Sequence, residues 1–396
     1  MPLYLQEHFE RVGDHWDPEH NPEGYLPLCI AENRLVWDLL QPRFQAHRDV
    51  PIEALGYADM TGPEPFREVL ANFLSTWVTK VPVDAGQVAL LNGAGSVLEI
   101  VTYLLCDAGT GVLIPTPSYA GFWMDLTVRN GLSIVEIPLD LGQKLTPERL
   151  DLALERSTVP IRALLLTHPD NPTGLMYTHE ELKALIAWSE QAGIHLLADE
   201  VYALSTFGDE PFTSAATARP DLPPHLHLIW AFSKDFAASG LRAGVLISKN
   251  EALMSAVNSL SYWAACSGDT VHLLQTWIED PEFVSTYINT MRERLGAAAR
   301  EVMAQLDLHN IPYVPTQSGF FLVVDLRAWL TKATFEAEEA LWRQLLEAGI
   351  NLTPGVALRS PQPGLFRLCF ASISPAGRAV ALDRLVTTLG RLSETS

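Results

Sequence analysis

Residues 226–244 read LHLIWAFSKDFAASGLRAG, and the rest of the chain is best read outward from them. The stretch Leu226–Phe232 is almost wholly apolar, as a strand covered on both faces of a sheet must be. Ser233-Lys234-Asp235 follows without a break. A lysine directly after such a strand is unusual, because an ammonium is rarely buried without purpose. Desolvation lowers a lysine's pKa, and the neutral amine can form a Schiff base. Further on stands Arg242, framed by Gly240 and Gly244.

Six more short apolar runs flank this one: Val88–Leu91, Val112–Ile114, Ile134–Ile137, Ala163–Thr167, Ile194–Ala198 and Val245–Ile247. Helical patterns separate them, such as Ser96–Leu105 and His179–Gln191. In the first, Val97, Ile100, Val101, Leu104 and Leu105 form one face at helical spacing. Alternation of strand and helix predicts an α/β domain around a mostly parallel sheet. The C-terminal third differs, with longer helical patterns (281–306, 334–348, 375–392) and strands at Phe320–Asp325 and Phe366–Phe370. The division expected is an N-terminal segment 1–45 with one helical piece, a large domain 46–275 and a smaller α+β domain 276–396.

The chain has 396 residues, 48% of them hydrophobic, enough for a large core. Acidic residues outnumber basic ones 47 to 27, a net charge of −20. No Lys/Arg cluster supplies the basic footprint of a nucleic-acid binder. Four scattered cysteines, Cys29, Cys106, Cys266 and Cys369, form no CxxC pair and no zinc spacing. They read as thiols in a reducing compartment. The first residues lack a signal-peptide core, and no apolar run approaches membrane-spanning length. A cytoplasmic protein with no metal and no membrane partner is expected.

In open α/β sheets, ligands bind beyond the carboxyl ends of the strands. After Val88–Leu91 comes Asn92-Gly93-Ala94-Gly95-Ser96 and a helix. Such a turn can hold phosphate on free N–H groups; it reads equally as a tight turn capped by Ser96. After Ala163–Thr167 comes His168-Pro169-Asp170-Asn171-Pro172-Thr173-Gly174, by itself a proline-locked turn. After Ile194–Ala198 comes Asp199-Glu200-Val201-Tyr202. Taken together, a phosphate cradle, an Asn, an Asp–Tyr pair, a Lys and an Arg stand at successive strand ends. Pyridoxal phosphate needs that set: an amine for its aldehyde, a carboxylate for its pyridine nitrogen, donors for its phenolate oxygen, and a helix N-terminus with an Arg for its phosphate.

The ordered motifs NPTG, DEVY and SKxxxxxGxRxG resemble the fold-type I, class I/II aminotransferase superfamily over nearly the whole chain. Within it, Ile30-Ala31-Glu32-Asn33-Arg34-Leu35, Ile114–Phe122 and Ser233-Lys234-Asp235-Phe236 look most like 1-aminocyclopropane-1-carboxylate (ACC) synthases, especially the ACC-synthase-like proteins found outside plants. The resemblance implies that Lys234 is the Schiff-base lysine and shuttles the α-proton. Asp199 pairs with the pyridinium nitrogen, Tyr202 and Asn171 bond the phenolate oxygen, and Tyr119 stacks on the ring. Ala94, Gly95 and Ser96 hold the phosphate with Arg242. Arg367 clamps the substrate carboxylate, Tyr57 reaches the cofactor of a partner subunit in a homodimer, and Glu32 lies near the sulfonium of S-adenosylmethionine. Two positions depart from the pattern. Ala231 stands where a phosphate-binding Ser is usual, leaving Ser233 and Ser96 to compensate. Met60 stands where plant-type ACC synthases have a Tyr.

The function so implied begins with removal of the α-proton of S-adenosylmethionine and loss of methylthioadenosine from Cγ. The product is ACC, or a vinylglycine-type species captured in γ-substitution or annulation with a second small-molecule substrate. The alternative is an aminotransferase exchanging amino groups between an amino acid and a 2-oxo acid. A catalytically silent scaffold is the third reading, and the intact residue set argues against it.

Overall fold

The computed structural model describes residues 1–46 and 49–394. Its centre is a seven-stranded sheet. The strands in chain order are β1 (Leu26–Pro27), β2 (Val88–Leu91), β3 (Gly111–Thr116), β4 (Ser133–Pro138), β5 (Ile161–Thr167), β6 (His195–Asp199), β7 (Leu226–Ala231), β8 (Gly244–Ser248), β9 (Phe321–Asp325), β10 (Ile350–Asn351) and β11 (Leu365–Cys369). The large sheet runs β2-β8-β7-β6-β5-β3-β4, so every one of the seven apolar runs read from the sequence lies in it. β2, β7 and β8 are buried at every residue because helices cover both faces. β4 is an edge strand and mostly half-exposed, which is why its run is the least uniformly apolar.

Direction matters more than order here. The pairs β3–β4, β3–β5, β5–β6 and β6–β7 are parallel, whereas β8 runs antiparallel to both β7 and β2. The beginning of β8 therefore lies at the edge where the other strands end. Gly244 pairs with Ala231 on one side and Leu91 on the other. This register carries Arg242, two residues before Gly244, to the same edge as Gly93, Asp199 and Lys234.

Local signals set the helices as they set the strands. The helix His179–Ala192 opens on a capping box, Thr178 with Glu181, and stops at Gly193 in the left-handed region (φ 67°). The helix Ala94–Leu105 buries Val97, Leu98, Ile100 and Val101. A second layer is built from the antiparallel pair β9–β11 and the helices Pro281–Leu308, Phe335–Glu347 and Pro375–Glu394. The first residues of the chain pack on it. β1 pairs in parallel with β10, and Asn351 Nδ2 donates to Tyr4 O and Tyr25 Oη, each at 3.0 Å. This segment holds two helices, Leu3–Arg11 and Trp37–Ala46, not the one expected. The second contains Pro42, a residue whose cost inside a helix hid the element from pattern reading.

At the far end of the sheet from these ligand-facing ends, His227 is fully buried. Its ring bonds Ser248 Oγ at 2.8 Å and His195 Nδ1 at 3.0 Å. Burial is the main cause that lowers its pKa to about 3. A His that stays neutral in the fold but protonates when unfolded stabilises the fold above its unfolded pKa, and that stability is lost as pH falls toward the folded value. Between pH 7 and 5 the loss should be about 2 kcal/mol. Denaturant unfolding of His227→Asn should therefore be less acid-sensitive than that of the wild type by this amount. Parallel pH profiles would contradict the assignment.

Candidate active site

The strand ends converge on a cavity of about 250 Å³. Ala94, Gly95, Tyr119, Asn171, Asp199, Tyr202, Ser233, Lys234 and Arg242 all line it, so nine of the residues singled out from the sequence meet in one place. Arg367 joins them from β11. Its Nη1 donates to Asn171 Oδ1 at 2.9 Å, and its Nη2 donates to Cys29 O at 2.8 Å and Thr353 Oγ1 at 3.2 Å.

One end of the cavity is shaped for an anion. The helix Ala94–Leu105 starts there, and the first N–H groups of a helix have no intrahelical acceptor. Gly93 precedes it at φ 111°, a conformation that favours glycine. A Cβ on Gly93 would sit 2.3 Å from Arg242 Nη2, and one on Gly244 would sit 2.4 Å from Ala94 N. Only the two glycines let a guanidinium lie against the helix N-terminus. Ala231 is buried at the end of β7 and does not line the cavity, whereas Ser233 does. Ser96, in the helix's first turn, is not among the lining residues.

The other polar groups are strongly shifted by burial. Asp199, the last residue of β6, is raised to about 7, chiefly by desolvation and despite a nearby Lys234. Desolvation is also the main cause that lowers Lys234 to about 8, with Arg367 adding to it. The Lys234 amine donates to Ala31 O at 2.7 Å and lies 5.9 Å from the Tyr202 ring centroid. Tyr202 is pinned edge-on between Phe320 and Phe321. Asn171 gives its oxygen to Arg367, which leaves its amide NH2 for the cavity it lines. Arg367 Nε is buried and has no partner, an orphan that a ligand carboxylate would satisfy.

Glu32 is brought beside this cluster. Ser239, which lines the cavity, donates to its Oε1 at 3.1 Å, and Arg34 pairs with its Oε2 at 2.8 Å. Tyr57 is not brought in. It is 95% exposed and belongs to a separate hollow with Met60, Tyr262 and Cys266. Three residues escaped sequence reading. Asp125 lines the cavity and is raised to about 6, mainly by burial. Ser239 sits among the unspecified positions of SKxxxxxGxRxG. Tyr4 comes from the first helix, and Arg367, Cys29 and Tyr119 all bear on its phenol. None had a local signal beyond its place in a helix or loop.

The residues present fit pyridoxal phosphate. An anion cradle, a buried carboxylate, a buried amine of lowered pKa and an unfilled amide donor surround one cavity, and Tyr119 supplies an aromatic face. Comparison with known proteins gives the same family. The model of the aminotransferase class I and II family matches residues 44–385. 1-Aminocyclopropane-1-carboxylate synthase 6 of Arabidopsis thaliana is 33% identical over 95% of this chain and 80% of its own length. 1-Aminocyclopropane-1-carboxylate synthase-like protein 1 of Mus musculus is 34% identical over 90% of this chain and 75% of its own. Among solved structures, an aspartate aminotransferase of Thermus thermophilus superposes with a TM-score of 0.80 at 20% identity, covering 98% of this chain and 97% of its own.

The anion cradle can be tested by itself. Gly93→Ala should push Arg242 off the helix N-terminus and weaken pyridoxal phosphate binding about tenfold or more. Binding of pyridoxal, which lacks the phosphate, should change much less. Equal losses for both compounds would locate the phosphate elsewhere.

Proposed function

The chain belongs to the aminotransferase class I and II family and is a pyridoxal-phosphate enzyme; from that premise we propose that its substrate is S-adenosylmethionine and that methylthioadenosine leaves from Cγ. The observation that carries this reading is the position of Glu32. A substrate whose carboxylate lies on Arg367 and whose amine faces Lys234 would turn its next atoms toward the segment Ala31–Arg34, which the lysine amine already touches. A carboxylate there suits a sulfonium.

In this reading the tasks divide among the residues of the cavity. Arg367 holds the substrate carboxylate, using the Nε that otherwise has no partner. Asp199 would hold a proton on the ring nitrogen, and a cation there would favour its ionised form. Asn171 and Tyr202 donate to the ring oxygen, while Gly95, Ala94, Ser233 and Arg242 take the phosphate. Lys234 would hold the aldehyde and, as a free amine, would take the proton from Cα; an amine lowered to about 8 suits both tasks. Bound pyridoxal phosphate supplies the electron sink for Cα. The four-carbon unit left after methylthioadenosine departs closes to ACC or is captured at Cγ by a second substrate.

The enzyme is proposed to work as a homodimer. Ile52, Leu55, Tyr57, Tyr262 and Trp263 are large, apolar and exposed, and patches of that kind mark interfaces. Tyr57 would complete the partner's phosphate site. Among the described residues no helix is long and apolar enough to cross a membrane, and the four cysteines are free. A cytoplasmic enzyme accounts for both.

The second reading, amino transfer to a 2-oxo acid, draws on a particular observation. Glu32 already has a cationic partner in Arg34, so it does not require one from the substrate. Glu32→Gln separates the two. It should cut methylthioadenosine release from S-adenosylmethionine roughly 30- to 1000-fold, the worth of a partly desolvated ion pair. The spectral change induced by alanine should be much less affected. Equal effects on both would make Glu32 structural, and brisk amino transfer with no methylthioadenosine release would favour the aminotransferase.

A further inference from the structure

The Leu204 peptide unit is held from both sides by charged side chains of distant elements. Its N–H donates to Asp235 Oδ2 at 2.9 Å, and its C=O accepts from Arg292 Nε at 2.9 Å. Asp235 directly follows Lys234 in the short helical turn Phe232–Asp235. Arg292 lies within the long helix Pro281–Leu308. Asp235 is fully buried and accepts two further bonds, from Ser205 Oγ at 2.7 Å and Trp230 Nε1 at 2.8 Å.

A buried carboxylate is costly, and this one is saturated with donors that all lie near the lysine or the loop beyond Tyr202. Ser205 N–H in turn donates to Tyr202 O at 3.0 Å. The neighbouring buried acid, Glu200, makes a useful contrast. It caps the short helix at Ala215 through Ser214 Oγ and Ala215 N–H, and joins no two residues of the cavity. Asp235 joins the backbone of the lysine to the loop that carries the tyrosine.

We propose that Asp235 is a positioning residue: it fixes the Lys234 amine relative to Tyr202 by tying residues 204 and 205 to the lysine's own turn, while Arg292 braces the same peptide from the long helix. The proposal rests on the reading in which Lys234 attaches the cofactor. The Tyr202 ring already makes edge contacts with Phe320 and Phe321. Asp235 supplies a second constraint, on the backbone, so the 5.9 Å separation of amine and ring is set by both.

Asp235→Ala and Asp235→Asn separate this from a general structural role. Ala leaves the Leu204 N–H and the Trp230 Nε1–H without an acceptor. Asn keeps one oxygen for those two donors and presents its amide to Ser205 Oγ, whose hydroxyl can turn to accept. Both variants are loaded with pyridoxal phosphate and compared below their unfolding temperatures. Asp235→Ala should weaken cofactor retention about tenfold. It should also raise the pH midpoint of the cofactor's visible absorbance by roughly half a unit, because a hydroxyl donor held beside the ring oxygen favours the form that has lost its proton. Asp235→Asn should stay near the wild type in both. Hydrogen exchange of the amides of residues 203–205 in the cofactor-free protein should accelerate in the Ala variant alone. An Ala variant that is merely less stable, with unchanged retention and midpoint, would overturn the proposal, as would an Asn variant that behaves like Ala. If Asp235→Ala does not fold, Arg292→Met cuts the brace on the other side of the peptide, and the same two readouts must move in the same direction. Lys234→Ala distinguishes the two kinds of failure. Cofactor that borohydride still fixes to that variant would overturn the lysine assignment itself. Loss of fixation, with Asp235→Ala unchanged from wild type, would overturn the positioning role alone.

Discussion

The structure is organised around the cost of burying one amine. Lys234 is partly buried in the wall of the cavity, donates a hydrogen bond to Ala31 O, and lies close enough to Arg367 to be pushed further from its charged form. Two cationic groups sharing a dry space are unfavourable unless anions come to them. Asp199 and Glu32 answer in part, and both act to raise the lysine's pKa. In the proposed reading the rest of the compensation would come from a ligand that brings a phosphate to Arg242 and a carboxylate to Arg367. The partnerless Nε of Arg367 and the glycine-walled cradle at Gly93 are the two features that suit such a ligand.

The sheet makes this arrangement affordable. Parallel strands deliver Asn171, Asp199 and Lys234 at successive carboxyl ends, where helix N-termini also point. The arginine is the exception, since it lies at the start of its strand. Reversing β8 removes the difficulty, for an antiparallel strand between β2 and β7 begins where they end. Arg242 adopts φ 52° to make the turn between Leu241 and Gly244. The anion cradle is therefore a property of strand direction as much as of the glycine-rich loop.

This division explains what the sequence could tell. Strands buried on both faces have to be continuous apolar runs, so the inner strands were legible, and the half-exposed edge strand β4 still showed enough apolar residues to be read; the motifs that follow the strands were legible because each is local. Arg367 was different. On a strand with one wet face, an arginine between Phe366 and Leu368 would be a surface residue. Here every residue of β11 is buried, because the segments carrying Cys29, Asn171 and Thr353 close over the face that holds Arg367, and only the family resemblance pointed inward. Tyr4 and Ser239 had no such guide. Tyr4 enters through packing of the first helix against residues more than three hundred positions away, as its bond from Asn351 illustrates. Asp125 lies on a short helix after Tyr119, where periodicity says only that one side faces in. Contacts made by chain ends and loops depend on the finished packing, and a local pattern does not encode them.

The Glu32–Arg34 pair bears on which chemistry the site is built for. On its face it argues against a cationic substrate, because the carboxylate is already matched. The exposures keep the proposed reading open. The Arg34 side chain is 46% exposed and the Glu32 side chain 21%, and a pair open to solvent to that degree contributes about 0–1 kcal/mol. A sulfonium held between Arg367 and the lysine turn would meet the same carboxylate from its drier side, where screening is weaker and the interaction larger. Arg34 would keep its stacking on Trp37, with its guanidinium carbon 5.0 Å from the ring, so little is lost by surrendering the carboxylate. Ser239 holds the other oxygen of Glu32 in place throughout. In the proposed reading, an arginine that can leave at small cost would act as a placeholder for the substrate cation; in an aminotransferase the same pair would stay closed and hold the segment Ala31–Arg34 to Ser239.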